Sequence, residues 1–397
     1  MKESSTPLTP FKIAASPIEG SVRAFRATIA KACVVSAISA VALAGTVVLT
    51  APVAYAASYV YVSNQKSNNV SVFGFNEKNG SLTPIETQSV GGSAMPMVIS
   101  GDRSRLYVAV RSVPYRVATF AIDADNGKLT NLGTAPLAGS MAFLSLDEVG
   151  HFLFSAAYSG GHFSVNSIGR GGLVGEPIQS VQVGPMPHSI MPSPDNRYAF
   201  GAVLEADKWM RFNFDPSTGT LSDAQVARAL PAKSGPRFFR FSPDGRFVYL
   251  SDELDGKLHV LAYDAREGRV HEVQTISAMP PHFAGRDAHG ADLHLTPDGR
   301  YLYTSEQTNS TLTGFRVNVK TGELTRIGAW ATETSPRGFA IDPSGHYVLS
   351  GGLTSGHLSV YRIKANGQLR QIDRYVAGDG PNWMEFVTFP KPVANLK

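Results

Sequence analysis

A hairpin signature recurs along this chain at a nearly fixed spacing, and that period constrains the fold more than any other feature. The clearest copies are FSPDGRFVYLS after Pro236-Arg237, LTPDGRYLYTS after Gly290, and IDPSGHYVLSG after Pro336-Arg337. Weaker copies are PSPDNRYAFGA after Pro187-His188, PMVISGDRSRLYVAV from Pro96, and FLSLDEVGHFLFSAA from Phe143. Each reads as an alternating strand, a polar tight turn of Asp-Gly type, and an aromatic-rich second strand, followed by a third such as LHVLAYD or LSVYRI. Steps such as Gly219-Thr220-Leu221 and Gly322-Glu323-Leu324 open a fourth strand. The turn residues Asp102, Asp147, Asp195, Asp244, Asp298 and Ser344 are separated by 45, 48, 49, 54 and 46 residues. A four-stranded unit of about 48 residues is the size of a propeller blade.

The two ends of the repeat region fit together. Residues 57–397 open with second-strand sequence, SYVYVSNQKSNNVSVFGF, and lack the strand that starts every other unit. That strand stands at the far end, as Pro381-Asn382 followed by WMEFVTF. The expected architecture is all-β: a seven-bladed β-propeller of four-stranded antiparallel blades, with the C-terminal strand joining the first blade and closing the ring. No domain boundary interrupts residues 57–397. The one candidate insertion is the 54-residue step, whose extra residues fall around Met279 to His289.

Residues 1–56 have a different grammar. Lys2, Lys12, Arg23, Arg26 and Lys31 precede an apolar run from Ala32 to Ala51, and Ala54 and Ala56 supply the small-residue pattern that a signal peptidase reads. The expectation is a signal peptide cleaved after Ala56, with no stable membrane insertion afterwards and a periplasmic destination. The alternative is an uncleaved anchor, since about 20 apolar residues can span a bilayer. No adjacent arginine pair precedes the run, which points to the Sec route.

Composition changes meaning once this segment is set aside. The whole chain carries +4 and one cysteine, Cys33; residues 57–397 carry 31 Lys+Arg against 30 Asp+Glu, a net of +1, and no cysteine. A cysteine-free protein suits an oxidising compartment. No run of basic residues survives, so nucleic-acid binding has no electrostatic basis.

A propeller gathers repeat-equivalent residues from different blades around a central channel. Polar residues at the start of the inner strands are therefore the candidates: His188, Arg237, Arg337 and the Asp292/His294 pair. Glu253 and Gln307 stand where the second strand turns into the third, near an end of the same channel. Arg237 and Arg337 also admit a structural reading as braces between blades, and His188 one as a strand cap. His289 and His294, with Asp287 and Asp292, form the one cluster that could suggest a metal; the expectation is nevertheless no metal and no cofactor. No G-x-S-x-G elbow and no phosphate loop occurs.

The pattern from Pro187 onward resembles the β-propeller lactonase family, which includes bacterial 6-phosphogluconolactonases and fungal carboxymuconate cyclases. The resemblance is sharpest in GPRFFRFSPDGRFVYLSDEL, HGADLHLTPDGRYLY, and ETSPRGFAIDPSGHYVLSGG through RYVAGDGPNW, with an earlier match in PMVISGDRSRLYVAVR. It implies an active site built from a histidine after proline, the arginine of G-P-R, the glutamate of the N-E-L step, here Asp252-Glu253-Leu254, and an arginine one blade later. His188, Arg237 and Glu253 match the first three. Gln307 stands where the arginine would be, which removes a charge suited to anion binding.

The function this implies is hydrolysis of a sugar lactone by metal-free attack of water. The candidates are an aldonolactone such as glucono-1,5-lactone, favoured by export, or 6-phosphogluconolactone. Glu253 or His188 would be the general base and Arg237 the oxyanion stabiliser, with Arg111, Arg337, Asp292, His294 and Gln307 contacting substrate. The rival readings are a non-catalytic binding propeller of the cell envelope and a carboxymuconate-type cyclase.

Overall fold

The computed structural model describes residues 57–280, 283 and 287–390. The reading of residues 1–56 as an export signal lies outside these, as does part of the Met279–His289 step. The described residues form 28 strands in seven four-stranded antiparallel sheets. No helix long and apolar enough to cross a membrane occurs among them.

Within each blade the strands run outward from the centre in chain order. Blade 1 is the exception: its inner strand, Pro381–Phe389, comes from the end of the chain and pairs antiparallel with Ala57–Asn64. The other inner strands are Ala94–Ile99, Met141–Leu146, Pro187–Pro192, Pro236–Phe241, Gly290–Leu295 and Phe339–Ile341, in blades 2 to 7. The expected ring closure is the observed one.

The recurring Ser/Thr-Pro-Asp-Gly explains why each inner hairpin forms. In blade 5 the Ser242 hydroxyl donates to Asp244 at 2.6 Å and accepts the Phe247 amide at 3.0 Å, so one side chain ties the turn and starts the next strand. Gly245 sits at φ +69°, a left-handed conformation that glycine adopts without a Cβ penalty, and Asn196 takes the same place in blade 4 at φ 58°.

Aromatic residues at repeat positions join neighbouring blades. Tyr61, Tyr107, Tyr249 and Tyr303 donate their hydroxyls to the carbonyls of Gly127, Gly172, Gly322 and Gly367 on the next blade, at 2.6–3.1 Å. Tyr347 of blade 7 makes the corresponding bond to Lys78 of blade 1, at 3.0 Å. Each ring is buried, so each blade contributes apolar area and one satisfied hydroxyl to its neighbour's face.

The centre of the ring is filled. Phe143, Phe238 and Trp383, from blades 3, 5 and 1, meet with centroids 5.2–5.8 Å apart, Trp383 edge to face with both phenylalanines and the phenylalanines tilted against each other. All three are nearly inaccessible to solvent. This aromatic plug separates the polar residues at the starts of the inner strands from those nearer their ends.

Candidate active site

Two repeat positions supply the site. The first is the second residue of the inner-strand motif, occupied by His188, Arg237 and Arg337 in blades 4, 5 and 7. The second is the residue after the second strand, occupied by Arg111, Tyr158, Glu253 and Gln307 in blades 2, 3, 5 and 6. Both positions lie at the same end of the channel, because the antiparallel pairing of first and second strands puts the start of one beside the end of the other.

Arg237 is the hub. Its Nε donates to Nε2 of His188 at 3.1 Å and lies 2.7 Å from Oε2 of Glu253, while Nη1 donates to the Gly290 carbonyl at 3.2 Å. One guanidinium therefore ties blades 4, 5 and 6. Arg237 has no solvent exposure and rests against the Phe238 ring, 4.9 Å from its centroid, so the plug is the floor beneath it. The His188 ring packs edge to face between Tyr158 and Phe238, at 5.6 and 4.9 Å.

Protonation states follow from this packing. Burial, then the charges of Arg237 and Arg337, push His188 well below the usual imidazole range and keep it neutral. Its Nε2 accepts from Arg237, so the proton sits on Nδ1, which has no partner among the described residues. For Glu253, burial alone would raise the carboxyl. Arg237, the His289 contact and Arg337 overcome it and hold Glu253 ionised, below the carboxylate range. Tyr158 is pushed up by burial and by the charge on Glu253.

Two further guanidiniums border the site. Arg111 donates from Nε to the Ser140 hydroxyl at 2.5 Å. Arg337 makes no hydrogen bond or ion pair among the described residues. Burial, then Arg237 and Arg111, disfavour its charge. Arg237 and Arg337 thus act on the Glu253 carboxylate, and Arg111 acts on Arg337.

A family model described as "Lactonase, 7-bladed beta-propeller" matches residues 53–386. The chain belongs to the seven-bladed β-propeller lactonase family. A 6-phosphogluconolactonase of Pectobacterium carotovorum is 41% identical over 327 residues, covering 82% of this chain and 97% of that protein. One of Serratia proteamaculans is 39% identical over 329 residues, covering 83% and 98%. The solved structure of the Pseudomonas aeruginosa periplasmic gluconolactonase superposes with a TM-score of 0.76 at 27% identity, covering 83% of this chain and 99% of that one.

Set beside the expectations for a propeller lactonase, the structure brings His188, Arg237, Glu253, Arg111 and Arg337 to one mouth of the channel. Asp292 and His294 make no hydrogen bond or ion pair with these residues, although the Asp292 charge acts on Arg237. They do share a face, 3.1 Å apart, but the Asp292 carboxylate turns to His294 and to Arg240, at 3.7 Å, and this network continues beyond the plug toward Glu385. Gln307 is buried; its Oε1 accepts from Ser335 at 3.4 Å and its backbone N–H donates to the His289 carbonyl at 3.0 Å, while Nε2 has no partner among the described residues. It braces the segment before Arg337 and presents no charge.

Sequence reasoning missed two residues. Tyr158 holds the same place in blade 3 as Glu253 does in blade 5, a signal the repeat alignment carries. His289, weighed only as part of a metal cluster, contacts Glu253 instead, with Nε2 3.2 Å from Oε1. It lies outside both repeat positions, so the repeat gives no reason to single it out. No group of three or more metal-ligating side chains comes together among the described residues.

Proposed function

We propose that this lactonase opens a sugar lactone by attack of water at the channel mouth containing Glu253, Arg337 and Arg111. The observation that carries this reading is an ionised, largely buried carboxylate held between Arg237 and His289 beside an unneutralised guanidinium. Ester hydrolysis needs a basic centre for the water and a positive centre for the carbonyl oxygen as charge develops on it. The paired Glu253 and His289 provide the first. Arg337 provides the second, because it keeps some exposed surface and makes no hydrogen bond among the described residues, whereas Arg237 has no exposed surface and its Nε and Nη1 donors are engaged. Arg237 instead fixes Glu253 and keeps it charged. His188 is excluded as the base because the lone pair it would use already accepts from Arg237.

The guanidinium of Arg111, held by the Ser140 hydroxyl, supports a contact to substrate oxygens, and Gln307 supplies no charge for a phosphate. Residues 1–56 support an exported enzyme acting in the periplasm, where an unphosphorylated aldonolactone is the accessible substrate. The test is acid release measured in a pH-stat on residues 57–397, with glucono-1,5-lactone and 6-phosphogluconolactone in parallel. Turnover above the spontaneous rate, reduced about 10²–10³-fold in Arg337→Ala, supports the reading. Wild type no faster than buffer on either lactone favours a binding propeller. Turnover of carboxylated dienes instead favours the cyclase. For export, mass spectrometry of the protein from fractionated cells should find Ala57 at the N-terminus in the periplasm; an intact Met1 form in the cytoplasm would overturn that part.

A further inference from the structure

Deepening the lactonase reading, and resting on it, we infer that the atom that takes the proton from the attacking water is Nδ1 of His289, with Glu253 as the residue that orients it. His289 is the base candidate that is both paired and accessible. Its Nε2 lies 3.2 Å from Oε1 of Glu253, and its side chain is 48% exposed against 13% for Glu253. With the N–H on Nε2 directed at the carboxylate, the Nδ1 lone pair is left outward, and no described residue bonds it. Glu253, in turn, has one carboxylate oxygen against Arg237 and the other against His289. Both oxygens are occupied, so the carboxylate suits the role of orienting an imidazole better than that of attacking a proton directly.

The backbone holds His289 in this place from two sides. Its own amide donates to Oε1 of Glu306 at 3.0 Å and its carbonyl accepts from Gln307 at 3.0 Å. The next amide, Gly290, donates to the Glu253 carbonyl at 3.0 Å. A Cβ at position 290 would lie 2.6 Å from the Asp252 carbonyl oxygen, so only glycine lets blade 6 approach blade 5 closely enough to bring imidazole to carboxylate.

The step balances without any further reagent. Water oxygen bonds to the lactone carbonyl carbon while one water proton passes to Nδ1, and the carbonyl π pair moves onto oxygen beside Arg337. On collapse the C=O reforms, the ring C–O bond breaks, and the departing alkoxide takes the proton back from the imidazolium. The product is a hydroxy acid that loses its carboxyl proton to solvent. The Glu253 charge stabilises the imidazolium while it exists.

The test compares His289→Gln, His289→Ala and Glu253→Gln in the protein spanning residues 57–397, on whichever lactone the wild type turns over. His289 is half exposed, so its variants should fold. The expected result is a kcat lowered about 10²–10⁴-fold in both His289 variants, with KM changed little, and recovery of His289→Ala by added imidazole but not of His289→Gln. Glu253→Gln should fall similarly without imidazole rescue. Wild-type kcat in His289→Gln together with loss in Glu253→Gln would overturn the inference and make Glu253 the direct base, leaving the lactonase reading intact. No turnover by wild type would overturn both.

Discussion

Arg237 shows how one residue can be structural and functional at once. Its Nε serves both His188 in blade 4 and Glu253 in its own blade, and its Nη1 reaches Gly290 in blade 6. Replacing it with methionine removes the charge but keeps much of the volume. Arg237→Met should cost about 3–5 kcal/mol, the effect of leaving a buried ionic partner alone, read as a fall in Tm in parallel with lost activity; an unchanged Tm would mean that Glu253 finds solvent instead. Beyond the plug, burial pushes Glu385 up to about 7 against the opposing Trp383 hydrogen bond and Arg240 charge, with Asp292 adding to the rise. The folded state then binds a proton more tightly than the unfolded chain, whose glutamate titrates at about 4.3. Stability from this group is greatest at low pH and falls as pH rises through the interval between those values. Glu385→Gln imitates the protonated form and should raise stability by about 1–3 kcal/mol at pH 8 and by far less at pH 5. Equal gains at both pH values would sink this account.

At the scale of strands, the sequence was informative about faces and silent about depth. Alternation in Gly290–Leu295 correctly put Asp292 and His294 on one side, since every second residue of a strand points the same way. It could not say that this side faces Arg240 beyond the Phe143, Phe238 and Trp383 plug, because the plug is made by three strands far apart in sequence. Arg237 and Glu253 were legible because repeat position converts directly into place around the ring. His289 was not, because what brings it to Glu253 is the Gly290 to Glu253 backbone bond between blades. The strand that ends just before Glu253 is itself pinned: Asp252, raised to about 6 by burial, pairs with His259 at 2.7 Å, and His259 reaches Thr275 of the outer strand at 2.9 Å. His259→Leu should therefore cost about 3–5 kcal/mol by isolating Asp252. Adding Asp252→Leu should recover most of that in a thermal melt; a double variant no better than the single one would show that the pair is not the cause.

At the scale of the molecule, the repeat period specified blade number and the unmatched strands at the two ends specified closure, because each blade is built from neighbours in sequence and only the last strand is not. That strand contributes Trp383 to the plug and Asn382, whose side-chain amide donates to the Ala94 carbonyl at 3.0 Å and so joins blade 1 to blade 2. Ending the chain after Gly380 removes all of these at once and leaves the inner edge of Ala57–Asn64 unpaired. The truncated protein should be recovered as aggregate and not as a cooperatively melting monomer, judged by size-exclusion chromatography and calorimetry. A soluble monomer with wild-type Tm would show that closure contributes little.

The same closure also sets an order in time. Ser58 and Thr388, whose hydroxyls lie 2.8 Å apart, are separated by 330 residues of chain. Six blades can each form from local hairpins, but the first cannot be completed until the final strand arrives, and such long-range pairing is the slow kind. A chain delivered N-terminus first presents its missing strand last. The pocket, whose floor includes Trp383 from that strand, is therefore finished only when delivery is over.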